Sequence, residues 1–85
     1  MKIDLSNGQA TVDAADLGPL LGLAPAQVPA KMRDGDITSR AETGVDADAG
    51  RFRLIFYYQN KRVRLTYDAG GTVMSTSTTP IGKRS

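Results

Sequence analysis

Four arginines, Arg51, Arg53, Arg62 and Arg64, alternate with apolar residues in the stretch RFRLIFYYQNKRVRLTYD at 51–68. Guanidinium groups keep their charge at any physiological pH and grip phosphate or carboxylate through paired hydrogen bonds. Tyr57 falls among them and supplies a ring able to stack on a base. A side-chain period of two sets Arg51, Arg53, Ile55 and Tyr57 on one side of the first run, with Arg62, Arg64 and Thr66 on the same side of the second. Phe52, Leu54, Phe56 and Tyr58, with Val63, Leu65 and Tyr67, take the other side. The pattern is that of a half-buried antiparallel hairpin, one face building a core and the other facing water. Such a face permits salt-dependent, sequence-tolerant binding of nucleic acid. It equally suits a solvated strand surface whose arginines blunt aggregation, or a contact with a protein or a second copy through Ile55, Tyr57 and Met74. RNA-reading sheets present at least two aromatics, whereas here Tyr58 points to the core and leaves Tyr57 alone.

The remaining polar groups offer less chemistry. Glu42, Asp46 and Asp48 ahead of Gly50 share letters with the start of a calcium loop, but arginines and apolar strand residues follow where further oxygen ligands are needed. An acidic loop that satisfies its own backbone is the simpler reading. Gly82-Lys83-Arg84-Ser85 lacks the upstream glycine and following helix of a phosphate loop. Neither cysteine nor histidine occurs, which excludes disulfides, thiolate metal sites and the commonest general base. No nucleophile is paired with a base. These features point away from an enzyme and from any cofactor.

The 85-residue chain has a net charge of only +2, unevenly spread. Residues 1–50 carry four basic against eight acidic side chains, and residues 51–85 carry seven basic against Asp68 alone. The imbalance concerns partners and fields rather than fold. No apolar run is long enough to span a membrane and no secretory h-region is present, so a cytoplasmic protein without membrane contact is expected.

The elements that must position the arginine face can be read in order. Asn7-Gly8 between Ile3-x-Leu5 and Ala10-x-Val12 predicts a first hairpin over about 2–12, with Ile3 opposite Val12 and Leu5 opposite Ala10. Asp13 is a carboxylate N-cap. Leu17, Leu20 and Leu21 form the helical stripe, Pro19 predicts a kink or a start nearer Leu17, and Gly22 a left-handed stop. A second short helix opens with Ala24 as cap and Pro25 at its first position, with Leu23 and Val28 as a hydrophobic staple. Pro29 shortens or bends this helix, and Gly35 ends it. A strand over 37–43, a loop over 44–50 and the main hairpin, turning at Gln59-Asn60, follow. Phe56 then pairs with Val63, Leu54 with Leu65, Arg53 with Thr66 and Arg51 with Asp68, the last as an ion pair. Asp68-Ala69-Gly70-Gly71 suits a type I turn with a glycine bulge. Val73, Ser75 and Ser77 begin an edge strand.

The order ββααββββ is that of one α+β domain over 1–78: an N-terminal β-hairpin, two short helices and a four-stranded antiparallel meander with the helices on one face. Residues 79–85 read as a flexible basic tail. Ile3, Leu5, Val12, Leu17, Leu20, Leu21, Leu23, Val28, Met32, Ile37 and Val73 join the apolar side of the hairpin in the expected core.

Two resemblances accompany this reading. Residues 17–37 resemble the helix-turn-helix of excisionase- and MerR-like DNA-binding domains, through Leu21, Gly22, Leu23, Ala26, Val28, Met32, Arg33, Gly35 and Ile37. That resemblance implies Ala26, Gln27, Ala30 and Lys31 as the base-reading positions, so that Gln27 and Lys31, with Arg33, are the helix candidates for DNA; structural use of the same turn is the alternative reading. Gly35, Ile37, Ser39 and Arg40, then Glu42 and Gly44, then Asp48, Gly50 and Arg51, then Arg53, Leu54 and Phe56, and finally Arg64, Leu65 and Asp68, resemble the pattern of a family of short bacterial proteins carrying a domain of unknown function. It implies a shared fold and no established activity. It also singles out Arg40, Glu42 and Asp48, with Asp68 and the arginines, as a polar network, first of ion pairs and second as a site. The resulting expectation is a small non-enzymatic binding module, nucleic-acid-associated or regulatory. A structural or partner-binding module, including a homodimer, is the alternative.

Overall fold

Asp13 starts the helical layer as its chemistry dictates: its backbone is extended and its carboxylate accepts the N–H of Ala15 at 3.0 Å. In the computed structural model, which describes residues 1–5, 9–43 and 50–81, this cap opens helix α1, Ala14–Leu21. The alternative start nearer Leu17 is not taken, and Pro19 lies inside the helix. Gly22 ends α1 at φ 76°, a left-handed backbone that a β-carbon disfavours. The Leu23 N–H closes back on the Gly18 carbonyl at 2.8 Å.

The second helical segment divides into a 3₁₀ turn, Pro25–Gln27, and helix α2, Val28–Arg33. Pro29 explains the division. It has no N–H to offer the Pro25 carbonyl, which accepts from Val28 instead, one residue earlier. The outcome is a short helix, as the two prolines require.

Before the helices, strands β1 (Ile3–Asp4) and β2 (Thr11–Val12) pair antiparallel, Ile3 opposite Val12. Asn7-Gly8, the expected turn, lies outside the described residues. After them, β3 (Ile37–Thr43), β4 (Arg51–Tyr58), β5 (Lys61–Asp68) and β6 (Val73–Pro80) form an antiparallel sheet in that order. The α+β order ββααββββ is therefore the one read from the residues. The register of the central hairpin also agrees, with Leu54 opposite Leu65 and Phe56 opposite Val63. Its two-residue turn holds Gln59 at φ 54°. The β5–β6 turn is closed by Gly71 N–H to the Asp68 carbonyl at 2.9 Å and Asp68 N–H to the Thr72 carbonyl at 3.1 Å. Gly71 adopts φ 87°, and a β-carbon there would run into the Ile3 carbonyl. That close approach lets the Ile3 N–H bond to the Gly71 carbonyl at 2.7 Å, joining the N-terminal hairpin to the main sheet.

The last strand differs from expectation in two ways. It runs through Thr79 and Pro80, opposite Arg62 and Lys61, so the first two residues assigned to the tail are paired. A register shift at Thr66/Tyr67 also leaves Met74 as an extra residue in β6. Residues 82–85 lie outside the described part.

The core forms between the helices and one face of the sheet. Leu17, Leu21, Val63 and Leu65 are its most enclosed side chains, joined by Ile3, Val28, Ile37, Leu54, Phe56, Tyr58 and Tyr67. Phe52 and Tyr67 stack at its border, ring centroids 5.6 Å apart. Two expected core residues are exposed instead. Leu5 lies beyond the two-residue ladder of β1 and β2, where no paired strand shields it. Met32, in the last turn of α2, borders an open groove between α2 and β2.

Candidate functional site

The helices cover one face of the main sheet, and the strand registers define the other. Across it run Thr38, Tyr57, Arg62 and Thr79; then Arg40, Ile55, Arg64 and Ser77; then Glu42, Arg53, Thr66 and Ser75; then Arg51 and Asp68. The structure thus brings together all six residues of the predicted arginine face and adds Arg40, Glu42 and Asp68 to the same surface. Adjacent strands lie about 4.8 Å apart and alternate residues about 6.8 Å apart along a strand, so Arg62 and Arg64 are close neighbours. Arg40, Arg51, Arg62 and Arg64 are exposed, while Arg53 and Tyr57 are half-buried.

Ile55 departs from expectation. It lies on this face but is only 5% exposed, and it does not belong to the core beneath the helices. Its place explains this. Arg40 and Arg64 stand directly across from it, and Arg53 and Tyr57 flank it along the strand. Arginine lays its methylene stem over apolar surface while its charged end stays in water. The face therefore shows water its cations and keeps its aliphatic centre covered.

The polar network forms only in part. Arg40 Nε and Glu42 Oε2 approach to 3.7 Å, two residues apart on the edge strand. Both side chains are solvated, so the pair is weak, within about 1 kcal/mol. Arg51 and Asp68 are opposite in register, but the expected ion pair is replaced by backbone bonds. Asp68 Oδ1 accepts from the N–H groups of Gly70 at 2.9 Å and Thr72 at 3.0 Å. The turn satisfies that carboxylate locally and leaves the Arg51 guanidinium exposed. Asp48 and the acidic loop around it lie outside the described residues.

The helical candidates sit on the opposite side of the sheet, and Gln27 and Lys31 are engaged in local structure. Gln27 Oε1 accepts the Ala24 N–H at 2.9 Å, capping the 3₁₀ turn. Lys31 Nζ lies 3.7 Å from Asp36 Oδ2. Arg33 is exposed in the last turn of a six-residue helix. Sequence reasoning missed the role of Lys61, whose ammonium reaches the C-terminal end of α1 at the Leu21 carbonyl, 3.3 Å away. The signal was available: α1 has no basic residue in its last turn, and a helix C-terminus attracts a cation.

Among the described residues, five arginines share the open face with Glu42, already paired, and Asp68, already bonded to the β5–β6 turn. Asp13, Asp16, Asp34 and Asp36 belong to the helical side, together with Lys31 and Arg33. No helix among the described residues is long and apolar enough to cross a membrane. No curated protein and no solved structure matches the chain. A family model does match, over residues 1–85, and the chain belongs to that family, DUF6522, described as a family of unknown function.

Proposed function

We propose that the protein is a non-enzymatic binding module whose open sheet face takes the sugar-phosphate backbone of single-stranded nucleic acid. The observation that supports this most is the exposure of Arg51, Arg62 and Arg64 on a face that, among the described residues, no helix covers and whose carboxylates Glu42 and Asp68 are otherwise engaged. Guanidinium groups in that arrangement can follow a phosphate backbone, releasing its counterions. Tyr57, beside Arg62, gives one stacking platform for a base. One aromatic and no array of base-reading amides give affinity without sequence preference. The rival reading, a protein or self-association contact through the same face, needs apolar area at its centre. The covered Ile55 removes the main source of such area, and this favours a polyanion.

Fluorescence anisotropy of labelled single- and double-stranded oligonucleotides at two salt concentrations tests the proposal. Binding at low salt, weakening steeply as salt rises, is expected. In an Arg62→Ala/Arg64→Ala variant the slope of log affinity against log salt falls by about 1.4 for a single strand, about 0.7 for each phosphate no longer neutralised. An absence of binding at low salt overturns the proposal.

A further inference from the structure

Strand β6 is an edge of the sheet, and among the described residues its outer side is occupied only at its start, where Val73 N–H meets the Met1 carbonyl at 3.4 Å. Natural edge strands are kept from pairing by charged side chains, proline, β-bulges, shortness or a covering element. β6 has such devices only at its ends, the bulge at Met74 and Pro80; between them the strand carries no charge and no covering element among the described residues, and Thr76 and Thr78 are exposed. The other edge, β3, bears Arg40 and Glu42.

The hydrogen-bond parity of this edge is fixed. Ile81 N–H bonds to the Asn60 carbonyl at 2.7 Å, one step beyond the Lys61–Pro80 pair. In an antiparallel ladder such pairs alternate. Past the bulge, the odd-numbered residues of β6 therefore direct their backbone groups into β5. Thr76 and Thr78 direct theirs outward, to water. Pro80 has the outward parity too, so its missing N–H costs the sheet no bond.

We infer that β6 is a dimerisation edge, pairing antiparallel with β6 of a second copy of this chain about a two-fold axis at Ser77. In that register Ser77 faces its own twin, and Thr76 faces the second copy's Thr78. These outward-directed residues exchange backbone hydrogen bonds, and threonine pairs across strands are favourable. Met74 falls beside the second copy's Pro80. The pairing ends where Met1 already occupies the edge. Self-complementarity selects a second copy as the occupant: the run is uncharged, the same residues meet themselves, and a two-fold contact closes at two chains. The exposure of Thr76 and Thr78 on the helical side leaves the joint clear of both helical layers. The axis is perpendicular to the sheet, so the dimer is one eight-stranded sheet with helices on one side and both arginine faces on the other. This inference stands apart from the nucleic-acid proposal, since its test contains no nucleic acid.

Sedimentation equilibrium of the whole chain, from micromolar to millimolar concentration, is expected to show a monomer–dimer equilibrium. Thr78→Pro removes an outward N–H without touching the β5 ladder, and Thr76→Lys/Thr78→Lys places like charges across the axis. Each weakens dimerisation at least tenfold while circular dichroism stays native. Amide exchange on the unaltered protein supplies a reading that needs no variant. The Thr76 and Thr78 amides become protected as concentration rises, whereas the Ser77 and Thr79 amides are protected at every concentration. A wild-type chain that stays monomeric, larger open assemblies, a dimer unaffected by either variant, or Thr76 and Thr78 amides that exchange freely at high concentration overturns the inference.

Discussion

Lys61 Nζ donates a hydrogen bond to the carbonyl of Leu21, 40 residues earlier, and so ties the tip of the central hairpin to the end of helix α1. Two features make the contact. The last turn of α1 leaves carbonyls without intrahelical partners, and Gly22 keeps the approach open, because a β-carbon there would lie 3.0 Å from the ammonium. Lys61→Ala is expected to destabilise the protein by about 0.5–1.5 kcal/mol. Urea denaturation monitored by circular dichroism checks this. An unchanged midpoint would show that the bond contributes nothing to the docking of α1.

Ile55 gives the open face a stability role of its own. Although it lies opposite the core, Ile55→Ala is expected to cost about 2–4 kcal/mol, as for a buried aliphatic, rather than the few tenths typical of a solvated strand position. Thermal unfolding of the variant decides between the two. A loss below about 0.5 kcal/mol would mean that the arginine stems do not shield it.

Asp68 separates a turn-forming role from an ion-pairing one. Its Oδ1 holds two backbone N–H groups of the β5–β6 turn, a task that the asparagine carbonyl also performs. Asp68→Asn should stay within about 0.5 kcal/mol of wild type, while Asp68→Ala loses about 1–2 kcal/mol. Equal losses in the two variants would assign the stabilisation to charge, and hence to Arg51.

Tyr57 and the helical cations make opposite predictions in the oligonucleotide titration. Tyr57→Ala is expected to weaken single-strand binding by about 1–3 kcal/mol, the value of one stacked base, with the salt slope nearly unchanged. Lys31→Ala/Arg33→Ala, on the other side of the sheet, should alter neither affinity nor slope. A larger effect from the helical pair than from Tyr57 would move the binding surface to the helices.

The sequence alone was enough for everything that depends on short-range periodicity and backbone chemistry. Alternation over 51–68 determined the central hairpin, its register and the sorting of Arg62 and Arg64 from Val63 and Leu65. Asp13, Gly22 and Gly71 marked a helix start, a helix end and a turn, because a carboxylate cap and a left-handed backbone are local requirements. The α+β order followed from these elements. Tertiary structure decided whatever depends on neighbours distant in the chain. Ile55 is buried at a position that has Arg40 of β3 and Arg64 of β5 as its cross-strand neighbours, which one strand's pattern does not reveal. Leu5 and Met32 are exposed because β1 is too short and α2 ends beside an open groove. Asp68 faces Arg51 across the ladder yet serves the turn, since two N–H groups at fixed distance outcompete a solvated guanidinium. The open edge of β6 is likewise a property of strand order, because a run of serine and threonine does not by itself say whether a strand has one neighbour or two.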